Sequence, residues 1–289
     1  MDQAKALIIS GYGTNCERET AYAASMAGAD QVQIAHFSEL LTEEVCIANF
    51  NLLIFPGGFL DGDHLGAAQA AAARIRFSRT KSGYSILQEI KALQARGGLI
   101  LGICNGFQLL VKLGLLPNIE QDYTPGVSLS HNDSARFEDR WTRLKCSPSC
   151  NCVFCAGLQD LYLPVRHGEG KLIPKDKDLL SNLQTKGLIA LQYTDAQGRP
   201  TQDYPDNPNG SPLAIAGLTD PTGRILGLMP HPEAYNHATN HPCWTRDCSG
   251  HPWGISIFSN AVDYLQGKPL SLQRNFHTLN STPQPSSRS

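Results

Sequence analysis

The sequence predicts an α/β protein whose sheet is mainly parallel, carries helices on both faces and is extended by antiparallel strands. Three observations support this fold class. Short apolar runs alternate with amphipathic segments over the first hundred residues, an apolar run at 99–103 ends beside a glycine-framed cysteine, and shorter strand-like pieces follow from about residue 125. Such alternation requires parallel strands joined by helical crossovers, and ligand sites in these sheets lie at the carboxyl ends of the strands.

Hydrophobic periodicity gives the order of the elements. The short apolar runs predict strands at residues 6–10, 31–35, 51–58 and 99–103. The amphipathic segments between them predict helices at residues 17–29, 38–50, 65–77 and 84–98. The last of these helices ends on Gly97-Gly98, a pair that commonly closes a helix. Antiparallel additions to the same sheet are expected at residues 136–144, 161–167, 188–193 and 224–231.

The rest of the chain is predicted to be irregular. Residues 197–212 are rich in turn residues and predict a surface loop. We expect one domain over residues 1–270 and a flexible C-terminal tail at 271–289, because the end of the tail, NSTPQPSSRS, has too few apolar residues to order itself.

Composition excludes several classes of function. The 24 basic and 26 acidic side chains give a formal net charge of -2, which provides no long-range attraction to nucleic acid or to an anionic membrane. The first apolar run is too short for a signal peptide, and no stretch approaches the roughly 20 apolar residues that span a bilayer. A cytosolic protein is therefore expected. Its nine cysteines, an odd number in a long chain, are expected to be reduced.

Residues Gly102-Ile103-Cys104-Asn105-Gly106 have the form of a strand-to-helix bend that presents a nucleophile. The flanking glycines leave room for a sharp turn, which lifts the sulfur of Cys104 out of the strand. The positive end of the following helix favours the thiolate, and the backbone N–H of Asn105 can donate to an oxyanion. A buried cysteine at a strand end is the structural alternative, and the glycine frame favours the nucleophile.

A thiol nucleophile needs a base, and His231 is the best candidate among nine histidines. Because Pro232 biases His231 toward an extended conformation, Glu233 projects to the same side and can reach the imidazole. The strand-like run before this motif would place the pair near Cys104 if the two strands are neighbours. An exposed His-Pro-Glu turn fits the spacing equally well.

A second oxyanion donor is expected at Gly58. In PGGF (56–59) two glycines follow a predicted strand and offer backbone N–H groups with no side chain in the way. Paired glycines after a strand are also common turn residues, so this motif indicates an oxyanion donor only in combination with the other motifs.

The motifs PGGF, GICNGFQ (102–108) and PHPE (230–233) resemble, in order and spacing, the class I glutamine amidotransferases, which release ammonia from glutamine with a Cys-His-Glu triad. The resemblance implies a flavodoxin-like sheet and an amidotransferase type 1 domain over residues 1–270. More narrowly, the chain is similar to the glutaminase subunits of phosphoribosylformylglycinamidine synthases. The segments that carry this similarity are GTNCERETAYAASMAGA (13–29), RFEDRW (136–141), LPVRHGEGK (163–171), HPCWTR (241–246) and IFSNAVDYL (257–265).

The resemblance assigns roles to single residues. It implies that Cys104 is the nucleophile, His231 its acid-base partner and Glu233 the orienting carboxylate. It places the oxyanion hole at the backbone N–H groups of Gly58 and Asn105. The implied contacts to L-glutamine come from Gln108, one helical turn after the nucleophile, and from His167, Gly168 and Glu169.

The resemblance also implies a partner. Ammonia would be used by an ATP-dependent synthetase subunit that amidates formylglycinamide ribonucleotide in purine biosynthesis, often with a small third subunit. ATP and magnesium would bind that subunit, and no cofactor or metal is expected on this chain, which has no P-loop pattern. Two alternatives stay open: another cysteine hydrolase or peptidase of the related α/β fold, and a non-catalytic regulatory subunit, which the intact triad disfavours.

The remaining cysteines are interpreted separately. Four of them lie within ten residues and admit either a zinc site or a reduced surface loop; they are Cys146, Cys150, Cys152 and Cys155. Their cramped spacing, without two separated C-x2-C pairs, favours the loop. Cys16 has no histidine near it in the sequence to act as its base, so we interpret it as structural or interfacial.

Overall fold

A computed structural model describes residues 3–246 and 253–270. The strands are β1 (Lys5–Ser10), β2 (Gln31–His36), β3 (Leu52–Phe55), β4 (Leu99–Ile103), β5 (Val127–Ser130), β6 (Glu138–Cys146), β7 (Asp160–His167), β8 (Lys171–Pro174), β9 (Ile189–Thr194), β10 (Ile215–Thr219) and β11 (Ile225–Leu228). The helices are α1 (Glu17–Met26), α2 (Phe37–Leu41), α3 (Gln69–Phe77), α4 (Ile86–Ala95), α5 (Asn105–Lys112), α6 (Lys177–Thr185) and α7 (Trp253–Leu265).

A nine-stranded sheet with the order β2-β1-β3-β4-β11-β10-β9-β6-β7 forms the centre of the molecule. Its first five strands are parallel, and β3 and β4 are buried along their whole length, as expected for strands covered on both faces. The chain passes from β1 to β2 in one direction along the sheet and then returns in the other. Right-handed crossovers therefore place α1 on one face and the α3–α5 group on the other. The predicted fold class is confirmed.

The other four strands are antiparallel, and their arrangement curls back toward the parallel half. Val165 of the edge strand β7 forms a bridge with Pro230, just after the central strand β11. The backbone N–H of His231 donates to the carbonyl of Pro164 over 2.8 Å. This closure brings the segment after β7 to the carboxyl edge of the parallel strands. The antiparallel additions are thus confirmed, whereas the small separate sheet of β5 and β8 was not predicted.

The ends of two helices show why one predicted helix is confirmed and another is wrong. α4 ends as predicted, because Gly97 adopts a φ of +92° and the N–H of Gly98 donates to the carbonyl of Leu93. The single helix predicted over residues 38–50 is wrong. α2 ends at Leu41, Glu43 then takes a left-handed φ of +65°, and only a short 3₁₀ turn follows at Ile47–Asn49.

The segment at 197–212 is the predicted loop, with a 3₁₀ turn beginning at its last residue, but part of it is interior. Three of its residues are buried and hydrogen-bonded, namely Asn207, Asn209 and Ser211. This part of the loop is therefore packed in the interior and does not lie on the surface as predicted. The predicted tail at 271–289 lies outside the described residues. Among the described helices, none has the length and apolarity needed to span a membrane.

The four clustered cysteines lie at the end of β6 and in the turn that follows. Cys146, Cys152 and Cys155 are buried in the core, so the surface-loop interpretation is wrong for three of the four. The sulfur of Cys155 is within hydrogen-bonding reach of those of Cys146 and Cys152. Within residues 3–246 and 253–270, however, no three sulfurs of this cluster lie within 4.8 Å of one another, which does not fit a tetrahedral tetrathiolate site.

Candidate functional site

Cys104 occupies the sharp bend between β4 and α5. Its backbone has a φ of +50°, a conformation that is strained for a residue with a side chain. A Cβ atom on Gly106 would lie 1.9 Å from the carbonyl oxygen of Phe55, and one on Gly102 would lie 2.7 Å from the backbone of Gly106. Gly106 therefore lets the bend pack directly against β3, and Gly102 lets helix α5 pack against the end of β4, which together hold the thiol at the edge of the sheet.

His231 reaches Cys104 because their strands are neighbours. β4 and β11 pair in parallel, with Gly102 opposite Gly227, and the N–H of Cys104 donates to the carbonyl of Leu228 over 2.8 Å. His231 follows β11 by three residues, and the Cys104 sulfur lies close enough to its imidazole to raise the pKa of that ring. The same thiol lies 3.5 Å from the carbonyl oxygen of Arg166. The structure thus joins two motifs that are 127 residues apart in the chain.

The imidazole of His231 is held by Glu233, with 2.6 Å between Nδ1 and Oε1. Both side chains are buried. Burial alone would lower the pKa of His231, but the Glu233 carboxylate and the Cys104 sulfur outweigh burial and raise the pKa well above its ordinary value. The imidazolium is therefore favoured in this site, as an acid that protonates a leaving group requires.

The residues predicted for the oxyanion hole lie on two loops of the same edge. Gly58 has a φ of +141°, and a Cβ atom there would lie 2.7 Å from the carbonyl oxygen of Gly13. Phe59 donates its N–H to that same carbonyl, whereas the N–H groups of Gly58 and Asn105 have no acceptor within the described part of the chain. Gly58 lines the cavity beside Cys104 and Asn105 does not, so the oxyanion role of both N–H groups stays a prediction.

Gln108 links the predicted site loops. Its Nε2 donates to the carbonyl of Glu169 over 2.6 Å, and its Oε1 accepts from Asn105 Nδ2 over 3.0 Å. Asn105 Oδ1 in turn accepts from the N–H of Leu60. This chain of hydrogen bonds ties the loop after β3, helix α5 and the segment after β7 together. Gln108 lines the cavity, and its predicted contact with glutamine stays a prediction.

His167 is buried at the end of β7 and is held by Asn132. Its Nδ1 lies 3.0 Å from Asn132 Oδ1, and the amide of Asn132 also donates to the carbonyl of His167. Burial, and then the charge of His231, lower the pKa of His167 to about 3. Because the imidazole is neutral and Nδ1 faces an acceptor, Nδ1 carries the proton and Nε2 is left as an acceptor.

The predicted residues surround one cavity of about 490 Å³. Its lining includes Gly58, Cys104, Gln108, His167, Gly168, Glu169, His231 and Glu233, together with Asn15, Cys16, Glu19, Phe59, Asp63, His131, Phe137, Arg166 and Ala234. The structure therefore brings the predicted nucleophile, its base and the segment after β7 to a single space of a size suited to a small ligand.

Sequence reasoning missed Cys16 and Asn132. The interpretation of Cys16 as structural or interfacial stays a prediction, but sequence reasoning did not anticipate that its sulfur lies within 4.8 Å of both His231 and Glu233. A clue was available, since Cys16 follows β1 and the carboxyl ends of parallel strands meet at one edge. Nothing in the sequence pattern singled out Asn132, whose role depends on the curled antiparallel half.

Cys16, His231 and Glu233 are also the one group of described residues whose ligand atoms are close enough to hold a metal ion. The nitrogen and the oxygen of this group are already joined by the 2.6 Å contact between Nδ1 and Oε1. The arrangement therefore fits an acid-base pair beside a thiol, and we assign no metal to it.

Fold and site together define a glutamine amidotransferase of class I. The sequence profile of the CobB/CobQ-like glutamine amidotransferase domain matches residues 3–265. The PurQ subunit of phosphoribosylformylglycinamidine synthase from Dehalococcoides mccartyi is 42% identical over 267 residues, which cover 92% of this chain and 99% of that protein.

Two further comparisons agree. Phosphoribosylformylglycinamidine synthase from Drosophila melanogaster is 38% identical over 263 residues, which cover 87% of this chain but only 19% of that larger protein. Among solved structures, PurLQS from Thermotoga maritima matches with a TM-score of 0.67 and 26% identity, covering 92% of this chain and all of the matched chain. The chain belongs to the glutamine amidotransferases, in the PurQ family of phosphoribosylformylglycinamidine synthase subunits.

Proposed function

We propose that this chain is the glutaminase subunit of phosphoribosylformylglycinamidine synthase. It hydrolyses L-glutamine and delivers ammonia to a synthetase subunit, which converts formylglycinamide ribonucleotide to formylglycinamidine ribonucleotide with ATP and magnesium. The observation that carries the proposal is the thiol of Cys104 beside the buried His231–Glu233 pair, in a chain of the PurQ family.

The first half of the reaction forms a thioester. The thiolate of Cys104 attacks the side-chain carbonyl carbon of glutamine, and the backbone N–H groups of Gly58 and Asn105 donate to the oxyanion. The imidazolium of His231 protonates the departing nitrogen, so that ammonia leaves and a γ-glutamyl thioester remains. Glu233 keeps the imidazole oriented and favours its charged form.

The second half uses the same residues. His231, now neutral, takes a proton from water, and the water oxygen attacks the thioester carbonyl. Collapse of the tetrahedral intermediate releases glutamate and regenerates the Cys104 thiolate. One imidazole thus serves first as acid and then as base, which requires it to stay fixed within hydrogen-bonding reach of the reacting atoms.

Charges along the cavity suit the two ends of an amino acid. Asp63 and Glu169 both line the cavity. Burial, and then the negative charge of Glu169, raise the pKa of Asp63. A substrate ammonium group would relieve this repulsion. Arg166 also lines the cavity, and its guanidinium, with Nε 3.9 Å from Asp139 Oδ1, carries the charge that suits a carboxylate. These groups support L-glutamine as the ligand, with its carboxamide at Cys104.

Gly168 offers a test of substrate position. A Cβ atom there would meet only Phe137 at 4.0 Å, so Gly168→Ala is expected to leave the melting temperature unchanged. If Gly168 contacts the bound glutamine, the added methyl group overlaps the position of the substrate. KM for glutamine should then rise about tenfold, with a smaller effect on kcat. Steady-state kinetics checks this, and an unchanged KM would place Gly168 outside the contact.

The rim of the cavity supports a protein partner above it. Phe59 and Phe137 line the cavity, and their side chains are 43% and 56% exposed. Tyr12, beside the loop that carries Phe59, is 74% exposed. Exposed aromatic groups are common in interfaces, and ammonia that crosses to a synthetase must avoid protonation in bulk water. We therefore infer that the synthetase subunit covers this rim. A small third subunit and the cytosolic location stay predictions.

Mixing the purified chain with its synthetase subunit tests the function directly. We expect slow glutamine hydrolysis by the isolated chain and faster hydrolysis in the complex, coupled to product formation that needs formylglycinamide ribonucleotide, ATP and magnesium. Full activity of the isolated chain would contradict the coupling. Peptide hydrolysis without reaction toward glutamine analogues that alkylate Cys104 would instead favour a peptidase, and a complex that produces no glutamate would refute the proposal.

A further inference from the structure

A second thiol, that of Cys16, faces the catalytic acid-base pair from the side of helix α1. Its sulfur lies within 4.8 Å of a ring nitrogen of His231 and of a carboxylate oxygen of Glu233. The side chain is half-buried and lines the glutamine cavity. Nothing in the proposed reaction uses this sulfur, although it lies near the same imidazole as the Cys104 sulfur.

The imidazole edge is enclosed by Cys16 and Gly57. A Cβ atom on Gly57 would lie 2.6 Å from Cε1 and 3.2 Å from Nδ1 of His231, and 3.4 Å from the sulfur of Cys16. The position of this Cβ atom is thus close to both the ring and the sulfur, so a side chain on residue 57 would meet both groups. Glu233 Oε2 is buried with no hydrogen-bond partner among the described residues, so no further hydrogen bond from that oxygen fixes the pair.

The segment that carries Cys16 is itself fixed to the predicted oxyanion loop. Thr14 forms a bridge with Gly58, and the N–H of Asn15 lies 3.4 Å from the carbonyl oxygen of Gly57. The Cys16 thiol donates to Asn15 Oδ1 over 3.2 Å, and the Cys16 carbonyl accepts the first backbone hydrogen bond of α1 from Thr20. The sulfur is thus held in place by both its side-chain and its backbone contacts.

We propose that Cys16 is a positioning residue: its sulfur fixes the His231–Glu233 pair and excludes water from it. This inference rests on the proposed glutaminase function. Burial raises the pKa of the Cys16 thiol, so it stays a neutral, polarisable group beside the pair instead of a competing nucleophile.

The proposal predicts a change in the titration of His231. The groups that face this imidazole are Glu233, Cys104, Cys16 and the neutral His167. Water admitted in place of the sulfur would weaken both the burial effect, which lowers the pKa of His231, and the attractions to Glu233 and Cys104, which together outweigh burial and raise it. Because the attractions dominate in the intact protein, the pKa of His231 should fall toward its ordinary value of about 6.5.

The test compares Cys16→Ala, Cys16→Ser and the exposed-thiol control Cys46→Ala in complex with the synthetase subunit. For Cys16→Ala we expect a roughly tenfold loss of kcat for glutamine, little change in KM, and an alkaline limb of kcat/KM displaced to lower pH. Cys16→Ser should recover part of kcat if filling the space dominates. Cys46→Ala should match the wild type, and thermal melting verifies that each variant is folded.

A merely structural Cys16 would lower the melting temperature or the amount of folded enzyme without moving the pH profile. An active wild type together with an unchanged pH limb and kcat in folded Cys16→Ala would overturn this proposal alone. A wild-type complex that hydrolyses no glutamine would instead remove the proposed function, so the two failures are distinguishable.

Discussion

Replacing Cys104 with alanine is expected to lower glutamine hydrolysis by at least about 10⁴-fold, because the thioester cannot form without the sulfur. The substitution removes a small side chain at a bend whose geometry is set by Gly102 and Gly106, so the fold should persist. In complex with the synthetase, added ammonium salts should still support product formation, since that step uses another subunit. Release of glutamate and formation of formylglycinamidine ribonucleotide are the two measurements.

Cys243→Ala is the control for this experiment, because Cys243 is exposed. It should retain wild-type glutaminase activity. Glutamate release by Cys104→Ala at a rate near that of the wild type would show that another group is the nucleophile. Loss of the ammonia-dependent rate as well would show that the substitution damages the complex rather than the chemistry.

Gly57→Ala is expected to lower kcat by about 10²-fold or more, although the substitution adds one methyl group outside the triad. The new Cβ atom would lie 2.6 Å from Cε1 of His231, a distance that real contacts do not allow. Either the imidazole moves away from Cys104 or the loop before Gly58 moves, and each displacement spoils the alignment needed for proton transfer. Rapid-quench measurement of thioester formation would locate the defect in the acylation step.

Gly126→Ala is a matched control for this glycine substitution. Its Cβ atom would meet only the end of the Leu179 side chain at 3.1 Å, a neighbour that can give way, and Gly126 does not line the cavity. We expect nearly wild-type kinetics for it. Wild-type kinetics for Gly57→Ala too would show that the imidazole has more freedom than these contacts imply.

The parallel half of the sheet was predictable because its signals are local. Fully apolar runs such as those of β3 and β4 alternate with amphipathic helices, and glycines mark the sharp turns. The failed helix at 38–50 has a local cause that sequence patterns do not show. Glu43 adopts a left-handed conformation at which glycine is usual, so the chain turns where periodicity predicts continuation.

The site residues that belong to recognisable sequence motifs could be predicted. The contacts between segments far apart in the chain could not. Cys104 was predicted from its glycine frame at a strand end. For the His231–Glu233 pair, spacing alone left an exposed turn open, and the resemblance to amidotransferases favoured the site. The approach of Cys16 to His231 joins residues 215 positions apart, and Asn132 reaches His167 only through the curl of the antiparallel half. Contacts of this kind depend on the order of strands, which local patterns do not specify.

The position of β11 in the sheet also determines how late in synthesis the chain can complete its fold. β11 lies between β4 and β10, yet the ten other strands in the described part of the chain are synthesised before it. A nascent chain that ends before Ile225 leaves β4 and β10 with unpaired edges, which favour association with other chains. Adding that one short strand pairs both edges and brings in the proposed general base, so we expect chains that terminate early to be both inactive and prone to aggregate.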